Sequence, residues 1–284
     1  MQADFVRILV ALGVMALMLA QGTAVEAGQL LYLVRRPGLL ARSLLAVVVA
    51  VPCIALAVGW LLRPEPAVQV GLAVLAACPV APVMIVRVRK ASGDVEYVAA
   101  LHLTLAVLSI ATTPLALAVL SRVLGFEAGI RPGLVAVQVG RSLLLPFALG
   151  VAARTWTPAF AARVRGPLAV AGGLALLAGV VVLLAGQGGW RLLLSHAPRG
   201  YLAMAVMFVA ALGAGHVLAG GPPNRRAALA LESAARNPGL ALLIASLNFD
   251  PRRSMGVLLP YLVVSPVLAT VYAGTRVRSR VAVA

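Results

Sequence analysis

The chain of 284 residues is 62% apolar and 11% charged, with a mean hydropathy of +1.02 and a formal charge of +16. Soluble domains run at roughly 45–50% apolar and 25% charged, so a water-solvated globule is excluded. The basic residues flank apolar runs instead of forming one continuous face; this sets nucleic acid aside and points to anionic lipid headgroups.

The first apolar run, from about Val6 to Ala24, has one flanking basic residue, Arg7, and no small-x-small cleavage pattern. It reads as a retained membrane span, not a leader. Windows of span length give nine candidates, near 5–24, 39–62, 67–86, 95–121, 133–152, 167–185, 200–219, 226–247 and 254–274. The short connections carry helix breakers such as Arg36-Pro37-Gly38, Arg63-Pro64 and Gly221-Pro222-Pro223, and none is long enough to separate soluble domains. Cys53 and Cys78 fall inside apolar runs and read as small buried hydrophobes, not as a disulfide. In a nine-span arrangement 14 basic residues fall on one side and 8 on the other. The positive-inside rule then places the C-terminus in the cytoplasm and the N-terminus outside. Scarce lysine beside abundant Arg, Ala, Gly and Val points to a high-GC bacterium, and so to its inner membrane.

Two spans make poor continuous helices. Span three contains Cys78-Pro79-Val80-Ala81-Pro82 and span eight contains Arg236-Asn237-Pro238-Gly239. Each proline removes a backbone donor and crowds the preceding turn. Backbone freed in this way has to be buried in protein or line a wet cavity, because unsatisfied groups are too costly in lipid. The interruptions lie five spans apart, an odd displacement that inverts topology, which is the pattern of an inverted repeat with paired broken helices at the midplane. The first repeat covers approximately residues 1–121 and lacks one helix; the second covers approximately 133–274. Ordinary proline kinks are the alternative.

Four strongly polar side chains fall well inside spans: His102, Arg141, Glu232 and Arg236. Intramembrane charges usually face a partner or an aqueous path. Glu232 and Arg236, four residues apart, would share a helix face and pair, either as a structural salt bridge or as part of a substrate or ion site beside Pro238. His102 reads as a packed histidine bonded to a carbonyl or as a proton relay. Arg141, near a span end, can snorkel. One intramembrane acid cannot form an aspartyl dyad, and His102, His196 and His216 are too scattered to hold a metal. No enzyme, and no cofactor other than a bound ion, is expected.

The stretch Glu232-Ser233-Ala234-Ala235-Arg236-Asn237-Pro238-Gly239-Leu240-Ala241 resembles the Glu-x-Gly-x-Gln-Asn-x-x-Leu-Ala motif of the bile acid:sodium symporter superfamily. Cys78-Pro79 followed by Gly93, Thr113-Pro114, Pro52, and the stretch through Arg141, Pro146 and Gly150 agree in order. The resemblance implies an all-α membrane protein of nine transmembrane helices, with panel and core domains and two broken helices crossing in the core. It also implies alternating-access transport of a small organic anion. Carried across, the family's sodium-ligand positions fall on Val47, Met84, Ile85, Val98, His102 and Arg236. Only Glu232, as a residual sodium position, and Asn237 survive, whereas a hard cation wants about six oxygens. The expected site is therefore Glu232, Arg236, Asn237 and His102, with Pro79, Pro82 and Pro238 making the breaks and the Arg236 guanidinium standing in for sodium beside Glu232. A proton-coupled or uncoupled facilitator remains open, as does a non-transporting sensor or scaffold in the lipid bilayer; the oligomeric state is not indicated.

Overall fold

The structure, a computed structural model, describes residues 2–25, 27–79, 84–125, 132–185, 198–248 and 251–281, with the backbone alone for some helical residues within those ranges. Every regular element among them is a helix. They run α1 (Gln2–Gly22), α2 (Ala27–Val34), α3 (Pro37–Leu62), α4 (Pro66–Ala77), α5 (Met84–Lys90), α6 (Val95–Leu124), α7 (Gly133–Trp156), α8 (Pro158–Ala185), α9 (Pro198–Ala219), α10 (Pro223–Ala234), α11 (Pro238–Asn248) and α12 (Pro251–Val281).

Six of these, α1, α3, α6, α7, α8 and α9, are long and apolar enough to cross a membrane. Their outward faces match that solvent. Leu115, Val119 and Val123 on α6, and Val170, Leu174, Leu177 and Val181 on α8, recur at helical spacing and are all exposed. In water these would be large apolar patches; against acyl chains they are the expected surface.

The segment expected as span three is two helices, α4 of 12 residues and α5 of 7, and the segment expected as span eight is α10 of 12 residues and α11 of 11. Neither half could cross ~30 Å of hydrocarbon alone. The short helix α2 was not expected; its 8 residues fall below a span-length window. Pro82 lies outside the described residues.

Two packing groups stand out. α1 lies along α7 and α8, which also touch each other, while α3, α4, α6, α9, α10, α11 and α12 pack among themselves; the groups meet where α7 lies on α6 and α1 on α11. Lipid gives no hydrophobic drive between helices, so close approach depends on small residues. A Cβ on Gly22 would collide with the Phe147 carbonyl oxygen and lie 2.9 Å from the Gly150 Cα, and one on Gly172 would lie 2.9 Å from the Gly13 carbonyl oxygen. Because backbone, not a yielding side chain, meets Gly22, Gly22→Ala should destabilise the fold by about 1–3 kcal/mol. The check is a lower Tm in detergent for Gly22→Ala, with Gly133→Ala, at a position where a Cβ meets nothing, unchanged.

Candidate functional site

The two interruptions meet. The backbone N–H of Asn237, between α10 and α11, donates to the Cys78 carbonyl at the end of α4 at 2.9 Å. Pro79 follows Cys78, the residue that closes α4, while Pro238 is the first residue of α11, where its missing N–H is no loss. Asn237 caps α11, its Oδ1 accepting from the Leu240 N–H at 3.0 Å. The close approach of α9 to α10 depends on Gly215, where a Cβ would fall 2.6 Å from the Leu229 carbonyl oxygen and 2.7 Å from Ser233 Oγ.

Arg236 does not pair with Glu232, contrary to the expectation from their spacing. The i,i+4 rule needs a continuous helix, but α10 ends at Ala234 and Ala235 is extended (φ −84, ψ 117). Arg236 therefore leaves the helix face and its guanidinium reaches main-chain carbonyls. Nε donates to Leu75 at 3.2 Å and Nη2 to Ala76 at 2.5 Å, both in the last turn of α4; Nη1 lies 3.4 Å from the carbonyls of Val47 and Ser233. The Val47 carbonyl lies where α3 widens into a π turn over Leu45–Ala50, and Pro52, five residues on, has no N–H to offer it. The backbone N–H of Arg236 donates to Tyr261 Oη at 2.7 Å, and that hydroxyl donates to the Ala234 carbonyl at 3.2 Å. The break in α10–α11 is thereby almost fully satisfied, as low-dielectric burial requires.

Glu232 instead faces α6. Its Oε1 lies 3.1 Å from His102 Nδ1, and His102 Nε2 lies 3.0 Å from Gln21 Oε1 on α1. His102 thus joins the carboxylate of α10 to the side-chain amide of α1. An ionised carboxylate only accepts, so Nδ1 then carries the proton, and the Gln21 amide can turn to suit the other nitrogen. Glu232 Oε2, Ser233 Oγ, Asn237 Nδ2 and Thr113 Oγ1 are buried with no hydrogen-bond partner among the described residues.

Glu232, Arg236, Asn237 and His102 are 0%, 2%, 1% and 3% exposed. The cover includes α1, through Gln21 and through Val14, whose Cγ2 would lie 2.7 Å from a Cβ on Gly239. Arg141 is exposed on α7. Cys78 is buried beside the break, whereas Cys53 is exposed, and both are free thiols. No group of three His, Cys, Asp or Glu that could hold a metal ion occurs among the described residues. Sequence reasoning missed Gln21 and Tyr261. Each is a lone polar group in an apolar helix, and that isolation is the signal that could have found them.

The family model described as Sodium Bile acid symporter family matches residues 11–191. That segment runs from α1 through α8 and includes the first break, Thr113-Pro114 and the π turn of α3; α10 and α11 lie beyond it. No curated protein matches the chain.

Proposed function

From membership of the Sodium Bile acid symporter family, to which this chain belongs, we propose that it is a secondary transporter carrying a small organic anion by alternating access. The observation that carries this reading is the contact between the two breaks, Asn237 N–H to Cys78 C=O, within an all-helical chain of membrane-spanning length. A crossing of half-helices brings main-chain dipoles and polar side chains to the middle of the bilayer, where nothing but function or tight pairing retains them.

In this reading the chain has nine spans related by an inverted repeat. α1, α7 and α8 form the panel, the remaining spans form the core, and Glu232, Asn237 and His102 border the substrate site. The N-terminus of α11, capped by Asn237 and therefore electropositive, favours an anion, and the unpartnered Nδ2 of Asn237 supplies a donor. Access requires the panel to move off the crossing, which entails breaking the contact between Gln21 and His102. The orientation has support of its own. Arg42 and Arg225 both border the turn at Gly220 and Gly221 between α9 and α10, and the neighbouring turn before α6, reached through Asp94 N–H to Asn224 C=O, follows Arg87, Arg89 and Lys90. That end is assigned to the cytoplasmic side of a bacterial inner membrane.

The transporter is not driven by sodium. Val47, Ile85 and Val98 bring no side-chain oxygen to the positions expected for sodium ligands, and the Glu232 oxygen that has a partner is held by His102. Purified protein in proteoliposomes, offered radiolabelled pyruvate, pantoate and taurocholate, should accumulate at least one of them with saturable kinetics above protein-free vesicles. No saturable uptake of any would favour a sensor or scaffold that keeps the fold without transport.

A further inference from the structure

We infer that the Arg236 guanidinium is a built-in cation filling a latent monovalent-cation site at the helix crossing, so that replacing it by a neutral side chain exposes a site sodium can bind. The inference deepens the sodium-independence stated above, yet its test needs no transport.

The argument begins with the acceptors. Leu75 and Ala76 belong to the C-terminal turn of α4, and Ser233 to the C-terminal turn of α10. Two half-helices therefore point their negative ends at one spot. Each end carries roughly half an elementary negative charge, so together they come close to balancing one positive charge. The Val47 carbonyl, in the π turn of α3, adds an acceptor from a third helix. Main-chain carbonyls drawn together from three helices make the kind of oxygen set that holds a hard cation, and the guanidinium spends its donors on all four of them.

The side chain is 2% exposed, and Glu232 is not its partner, since that carboxylate bonds His102. Acceptors of main-chain origin persist whatever side chain stands at position 236. Removing the guanidinium therefore takes away the donor that four inward-facing carbonyls share and leaves the Leu75 oxygen with the Cys78 N–H alone, a loss that hydrocarbon tolerates poorly and a small cation relieves. A free ion could leave during a transport cycle. A guanidinium tethered to the backbone cannot, so it holds the crossing closed without coupling transport to any ion gradient.

The test compares wild type, Arg236→Gln and Arg236→Lys in detergent, in NaCl and in choline chloride at equal ionic strength. Thermal unfolding and binding of radioactive sodium are both read. Wild type and Arg236→Lys, each with its own cation, should unfold at the same temperature in both salts and bind no sodium. Arg236→Gln should unfold at least about 3 °C higher in ~300 mM sodium than in choline, as expected when an ion binds only the native state, and should bind close to one sodium ion per chain. The inference is overturned if Arg236→Gln is equally stable in both salts, if wild type itself is stabilised by sodium, or if Arg236→Gln can be purified in neither salt, because sodium is required to take over the guanidinium's role. Uptake assays on wild type are read separately, so sodium-independent transport with a sodium-blind Arg236→Gln would defeat this inference alone.

Discussion

Arg236→Met is expected to be the most damaging single substitution in the chain, lowering stability by about 3–5 kcal/mol, the range seen when one partner of a buried charged network is removed. Methionine nearly matches the arginine stem in length but offers no donors. The carbonyls of Leu75, Ala76, Val47 and Ser233 then lose their common partner, and the loss lies in unsatisfied acceptors more than in volume. The main-chain bond from Asn237 to Cys78 and the Tyr261 bridge remain, so a weakened crossing is expected, not its disappearance. The readout is the fraction of monodisperse protein after detergent extraction together with its Tm. A Tm within 1–2 °C of wild type would mean that the carbonyls find other partners at little cost.

Glu232→Gln should act in the opposite sense on stability while abolishing function. Glu232 is fully buried; one of its oxygens meets His102 and the other has no partner among the described residues. A carboxylate held that way is costly, and an amide of the same shape relieves the charge while keeping a polar group at hydrogen-bond distance from His102. The expected gain is about 1–3 kcal/mol, accompanied by at least a tenfold loss of carboxylate uptake if the carboxylate borders the substrate site. A group retained only to make the broken helix insertable would give neither the gain nor the loss. The pairing of higher Tm with lower uptake is the signature of a site that sacrifices stability for activity.

The gross pattern of the fold was legible because its causes are local. Cys78-Pro79 and Asn237-Pro238 each interrupt an apolar run, and the prolines stop a helix wherever the chain places them. The lone acid in the eighth candidate span and the histidine in the fourth were each legible as isolated polar groups, and the structure places Glu232 and His102 3.1 Å apart. The partners were read less well. Spacing suggested that Glu232 and Arg236 share a face, but spacing has meaning only along an unbroken helix, and the same proline signal that announced the break already removed that premise. The partners that Arg236 does use are carbonyls of Leu75, Ala76, Val47 and Ser233, and carbonyls carry no residue identity. No motif could have announced them, although the π turn before Pro52 could have been suspected from the proline alone. Cys53 was misjudged for a different reason. An apolar run has a lipid face and a core face, and with apolar residues all round, periodicity does not tell them apart.

α2 and Gln21 escaped for a related cause. An 8-residue helix disappears inside a span-length window, and a glutamine at the end of a span looks like an ordinary interfacial residue until the neighbouring helix supplies His102. Both became visible only through tertiary packing.

The most direct test is the ratio of initial carboxylate uptake rates into proteoliposomes under an inward sodium gradient and under an equal choline gradient. With Arg236 occupying the carbonyls at the crossing and apolar residues at positions 47, 85 and 98, the proposed reading expects a ratio close to one. A ratio above about ten that Glu232→Gln abolishes would show a sodium ion coordinated at that carboxylate and would contradict the account.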